Sequence, residues 1–225
     1  MPTVSELLSP IPSNESSRAM PAVVGLLLLS AVALGVAPLL MPASYSSIAN
    51  TTSESAAQGV EFAWVARLGF LAFGVAVLWL AAALRKSWAR GARWLHMAFG
   101  VLMTATAVFS HRSWVAGAQF DPVEDVLHSF TATAMGVAFS FGVLARLLQR
   151  GRQGEPGRTL DAVALVTATV IPLVMARFAG FDGVIQRLMF LVAYLWYARE
   201  ALLLRQRSGG APDNTLQPTP ANGRG

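Results

Sequence analysis

Asp125 and His128 stand three residues apart in the stretch Asp-Pro-Val-Glu-Asp-Val-Leu-His that begins at Asp121, and His111 precedes them by a short loop. At that spacing on a helix the carboxylate and the imidazole share one face. Two imidazoles with a carboxylate suit Zn or a similar divalent ion. The same groups can work as an acid–base pair, or they can hydrogen-bond one another and lock loops. Their spacing matches no dedicated metal motif, so the three readings stand side by side. Glu54, on an earlier polar stretch, is a further carboxylate able to join them.

Positioning these groups falls to six long apolar stretches, at about 21–40, 61–84, 92–110, 122–148, 160–179 and 183–204. Each is close to the roughly 20 residues needed to cross a hydrocarbon core of about 30 Å. The 225-residue chain is 54% hydrophobic and only 13% charged, where a soluble domain carries about 25% charged residues. The fold class expected is therefore all-α: a polytopic bundle of six transmembrane helices over residues 21–205, with a polar segment at 1–20 and a disordered tail at 206–225. The first stretch is longer than a signal-peptide core and reads as a retained helix. Thirteen of the 17 basic residues fall on one side of these spans: Arg18, Arg85, Lys86, Arg90, Arg93, Arg146, Arg150, Arg152, Arg158, Arg199, Arg205, Arg207 and Arg224. The positive-inside rule then puts both termini in the cytoplasm, in a multi-pass protein of the cell membrane. Trp88 and Trp94 read as anchors at the inner boundary, Trp64 and Trp114 at the outer one, and His96 reads as interfacial.

With that orientation His111, His128 and six of the 12 acids gather on the outer side. Asp121 before Pro122 predicts a helix cap, and Glu124 completes the spacing of a capping box. The row Asp125, His128, Ala132, Gly136, Ser140 continues in small residues, which predicts close approach by a neighbouring helix. Arg67 lies about 9 Å into the second span at 1.5 Å per residue, so it requires a carboxylate partner or a side chain bent to the interface. Pro172 predicts a kink in the fifth span.

Several chemistries are excluded. The chain has no Cys, so thiolate and disulfide chemistry are absent. There is no Gly-rich phosphate loop, Gly-x-Ser-x-Gly or His-Glu-x-x-His motif. The net charge of +5 is explained by topology, so no nucleic-acid partner is expected. No inverted repeat relates the two halves, which argues against a secondary transporter.

The span layout resembles the prokaryotic six-helix membrane proteins grouped as domain of unknown function 998. The resemblance extends to Ser44-Tyr-Ser-Ser-Ile and Ser53-Glu54-Ser55, to His111 with Asp-Val-Leu-His128, and to Gly183-Val-Ile-Gln186-Arg187. It implies a bacterial inner-membrane protein and one outer cluster of Glu54, His111, Asp125, His128, Gln186 and Arg187, without supplying a reaction. Two function classes follow. One is a membrane-embedded enzyme, metal-dependent or not, acting on a lipid or lipid-linked group. In it Glu54, His111, Asp125 and His128 are the catalytic candidates, and His111, Asp125 and His128 the metal ligands. Arg67, Arg177, Gln186 and Arg187 would hold the ligand, the guanidiniums facing an anionic headgroup. The other class is non-enzymatic: a small-solute or proton-coupled transporter, a sensor or an assembly factor.

Overall fold

A computed structural model describes residues 13–175, 177 and 180–209. All regular structure among them is helical. The long helices are α1 (Ser13–Val36), α2 (Ala63–Ala83), α3 (Arg90–Val108), α4 (Pro122–Gln153), α5 (Arg158–Met175) and α6 (Asp182–Gly209), with short 3-10 turns at Ala37–Leu40 and Glu54–Ala56. Each helix packs on its neighbours in the chain, and α6 returns to α1. The result is a closed ring of six helices. Its centre is filled by Phe73 of α2, stacked 4.4 Å from Tyr194 and edge-on to Phe99 and Tyr197. Phe70, Phe73, Ala76, Val77 and Leu80 of α2 are fully buried. By contrast, α5 buries only Asp161, Ala164 and Ala168 among its described side chains.

Local sequence explains the helix ends that matter. Asp121 caps α4 by accepting hydrogen bonds from the amides of Val123 (2.8 Å) and Glu124 (3.3 Å), with Pro122 in the first turn. The same helix closes at Gly154, which takes the left-handed conformation with φ of 66°. The Glu124 carboxylate does not complete a capping box. It accepts from the amide of Ser110 at 2.7 Å, while the Asp121 amide donates to Gln58 Oε1.

Helix boundaries differ from hydropathy at several places. α1 begins at Ser13, so Pro21 lies inside a helix and not at its start. α4 runs on to Gln153 and α6 to Gly209, carrying polar residues beyond the apolar stretches. Residues 210–225, and with them most of the expected tail, lie outside the described residues, as do 1–12. Four segments are long and apolar enough to cross a membrane: Met20–Leu40, Ala63–Ala83, Pro122–Gln153 and Arg158–Met175. α3 and α6 fall short because α3 carries Arg93 and His96, and α6 carries Arg187, Arg199 and Glu200. The architecture is a helical membrane bundle: four of its helices carry span-length apolar segments, and all six pack into one ring.

Candidate functional site

The loop between α1 and α2 folds over the end of the bundle opposite the first turn of α1 and the last turn of α6. Glu54 is its internal tie, accepting from the Thr51 amide (2.5 Å), the Thr51 hydroxyl (3.0 Å) and the Asn50 amide group (3.2 Å). Arg187 of α6 donates to the carbonyls of Ser47 (2.7 Å) and Asn50 (3.0 Å) and to the Tyr45 hydroxyl (2.7 Å). Burial raises the pKa of the Tyr45 phenol, against the opposing pull of Arg187. Gln186 Oε1 accepts from the Thr52 amide at 2.7 Å. The loop sits so close to α6 that a side chain at Gly183 would collide with the Asn50 and Ser47 carbonyls. Arg67, half-exposed, has no carboxylate partner among the described residues and bends toward the loop. It donates to the loop carbonyls of Ala56 (3.1 Å) and Ala57 (3.4 Å). Arg177 is exposed past the end of α5, and its side chain makes no described contact.

His111, Asp125 and His128 do meet, a few ångströms from that loop. The two imidazoles are 5.4 Å apart, edge to face, and His111 Nε2 lies 3.8 Å from Asp125 Oδ1. Each group is also engaged with backbone. His128, buried, bonds the Phe109 carbonyl through Nδ1 at 2.8 Å; His111 Nδ1 lies 2.7 Å from the Arg112 carbonyl; Asp125 accepts from the Arg112 amide at 2.8 Å. Among the described residues no group of three or more His, Asp or Glu side chains is arranged to hold a metal ion. Each imidazole turns Nδ1 to a main-chain carbonyl, and the other ring nitrogen of His111 faces the Asp125 carboxylate. Glu54 belongs to the separate loop tie and does not join them.

The strongest charge cluster lies at the other end, where sequence reading saw only loop charges. Arg146 and Arg150 of α4, Asp161 of α5 and Glu200 of α6 are all buried. Arg150 pairs with Glu200, and its Nε lies 2.9 Å from Asp161. Arg146 reaches Glu200 at 3.3 Å. Indole N–H groups complete both acids: Trp88 donates to Glu200 (3.0 Å) and Trp196 to Asp161 (2.9 Å). Arg199 and Glu155 flank the group, which makes three guanidiniums against three carboxylates. His96 is not interfacial, nor is Trp88. The His96 imidazole is fully buried between Trp88 and Trp196, at 4.6 and 4.7 Å, with Nδ1 2.9 Å from the Tyr197 hydroxyl. Gly142 makes room for that ring, since a Cβ there would strike the imidazole. The available signal was Asp161 and Glu200 themselves, acids near span ends that no outer-side function claimed.

Between these two polar ends lies a cavity of about 510 Å³ walled by α3, α4, α5 and α6. Its lining includes Phe99, Met135, Gly136, Ser140, Pro172 and Phe190, and no charged residue. The small-residue row of α4 faces this space. Ala132, Gly136 and Ser140 line it, and a Cβ on Gly136 would meet nothing within 4 Å. No neighbouring helix fills the row, contrary to the expectation from spacing, because thinly packed α5 stands off from it. Val137 and Phe141, also in the lining, are exposed, so the cavity opens on the lipid side of the bundle.

Residues 22–202 match the family model described as protein of unknown function (DUF998), and the chain belongs to that family. No curated protein and no solved structure matches it.

Proposed function

For this family member we propose a membrane protein that binds a lipid between α4, α5 and α6. The observation that carries the reading is the uncharged 510 Å³ cavity with exposed Val137 and Phe141 in its lining. Its volume falls within the range of about 300–1,000 Å³ typical of small-molecule sites. In a bilayer the molecules that touch such an opening are lipids. None of Glu54, His111, Asp125 and His128 lines the cavity. Binding, not turnover, is therefore what the geometry favours, and those four groups act as ties between loops and helix ends. The excess of Lys and Arg on the side of the termini supports a cytoplasmic location for them, in a cell membrane.

Gly136→Trp tests the reading, because a Cβ there meets nothing within 4 Å and the indole is directed into the cavity. A lipid with a photoactivatable group in its acyl chain, reconstituted with the full chain, should label lining residues of α4, α5 and α6. The variant should lose that labelling and keep its melting temperature. Labelling spread evenly over the lipid-facing surface, and equal in the variant, would overturn the proposal.

A further inference from the structure

We infer that the lipid held in this cavity is a neutral one, with a carbonyl-bearing group seated among α4, α5 and α6; the inference rests on the lipid-binding reading above. Inside hydrocarbon there is no hydrophobic drive to prefer one tail over another. Selection has to come from polar groups that the protein leaves unmatched, because an unsatisfied donor in hydrocarbon is costly. Four polar side chains line the cavity: Thr133, Ser140, Thr169 and Gln186. Two are already satisfied. The Ser140 hydroxyl donates to the Gly136 carbonyl at 2.9 Å, and that of Thr169 to the Leu165 carbonyl at 2.8 Å. Thr133 makes no hydrogen bond through its hydroxyl among the described residues. Gln186 uses its oxygen on the Thr52 amide, which leaves the hydrogens of its NH2 group unmatched. The cavity thus offers two neutral donors and asks for acceptors without charge.

Depth and charge sharpen the class. Thr133 is eleven residues past the start of α4 at Pro122, about 16 Å along the helix. A phospholipid holds its phosphate at the boundary of the bilayer, with its ester carbonyls close by. Gln186 lies near that boundary, four residues into α6, so it is Thr133 that matches a lipid with a carbonyl and no charged headgroup, such as a prenylated quinone or a diacylglycerol. The guanidiniums that would hold a phosphate are elsewhere. Arg67 and Arg187 are bound to loop carbonyls, and Arg177 does not line the cavity. Five phenylalanines and four methionines in the lining add ring faces and thioethers, which pack well against a flat ring.

The test uses the full chain in mild detergent and native mass spectrometry. Decylubiquinone, dioleoylglycerol and phosphatidylglycerol are added in equal amounts to wild type, Thr133→Val, Gln186→Glu and Gly136→Trp. Gln186→Glu keeps the acceptor for Thr52 and removes the donors. Wild type should retain a neutral probe over phosphatidylglycerol by about tenfold, the worth of one hydrogen bond in such a setting. The first two arms also tell a quinone ring from glycerol esters. Thr133→Val should lower that preference, and Gln186→Glu should lower the retention of the neutral probes themselves, while lipid adducts persist. Phosphatidylglycerol retained equally or better in wild type would overturn the neutral-lipid inference and leave lipid binding standing. So would a preference unmoved by Thr133→Val together with a retention of the neutral probes unmoved by Gln186→Glu. Adducts of every probe that survive Gly136→Trp would overturn the cavity reading as well.

Discussion

Asp161 is the residue on which the packing of α5 turns. It is fully buried, and it meets Arg150, Arg199 and the Trp196 indole at once. Forming such a buried group from water is close to neutral, but removing one partner leaves an uncompensated buried charge. Asp161→Asn retains the acceptor for Trp196 and removes the charge that faces two guanidiniums. It should cost about 3–5 kcal/mol, read as a large fall in thermal stability in detergent. His128→Ala removes the bond to the Phe109 carbonyl and should cost about 1–3 kcal/mol. His128→Asn, whose amide NH2 can stand where Nδ1 stands, should recover most of it. Loss of stability in the alanine variant with no rescue by Asn would show that the imidazole does more than tie α4 to the end of α3. These roles were unequally legible in the sequence. Asp125 and His128 advertised themselves by helical spacing, and the pair does share a face. The partners of Asp161 are separated from it by 11 and 38 residues, so no local pattern could join them. Arg146 and Arg150, read as topology charges, are in fact inside the bundle. His96 was misjudged for the same reason: the rings that enclose it come from other parts of the chain.

At the scale of elements, hydropathy found all six helices, four of which are apolar enough along their length to cross a membrane. It could not find the unequal packing of those helices. α2 is buried over most of its inward face, whereas α5 is held at one end by Asp161 and elsewhere leans on an open cavity. Local stability should follow that difference. In hydrogen exchange, amides in the second half of α5, around Pro172, should exchange well before those around Phe73. Equal protection in the two helices would contradict the open cavity. The first loop makes a second case. Its approach to α6 requires Gly183, which hydropathy could only read as a helix start. Gly183→Val should push the loop off α6 and break the Arg187 bonds to Ser47 and Asn50, making the 41–62 segment newly sensitive to protease while the helices remain. An uncleaved loop in that variant would show that α6 can shift to absorb the added side chain.

The molecule as a whole carries its charge asymmetrically, and burial changes how that asymmetry is counted. Arg146, Arg150 and Arg199 lie on the side of the termini, yet they are balanced by Glu155, Asp161 and Glu200. A neutral buried group gives the bundle no preferred direction. Orientation rests on cations left in loops and at helix ends, for these are what must be kept from crossing. On the side of the termini Arg85, Lys86, Arg90, Arg152 and Arg158 are exposed; on the other side, Arg112 and Arg177 are. The bias therefore survives removal of the buried network, and it supports the orientation proposed above. The absence of Cys makes this directly testable. Single cysteines at Ser44 and Gln119, both exposed, should react with a membrane-impermeant maleimide added to intact cells. Cysteines at Arg90 and Arg152, also exposed, should react only after the membrane is opened. Labelling of Arg152→Cys in intact cells, with Ser44→Cys silent, would invert the protein. The cavity would remain, but Gln186 would then sit toward the cytoplasmic leaflet, and a lipid entering beside it would come from that side.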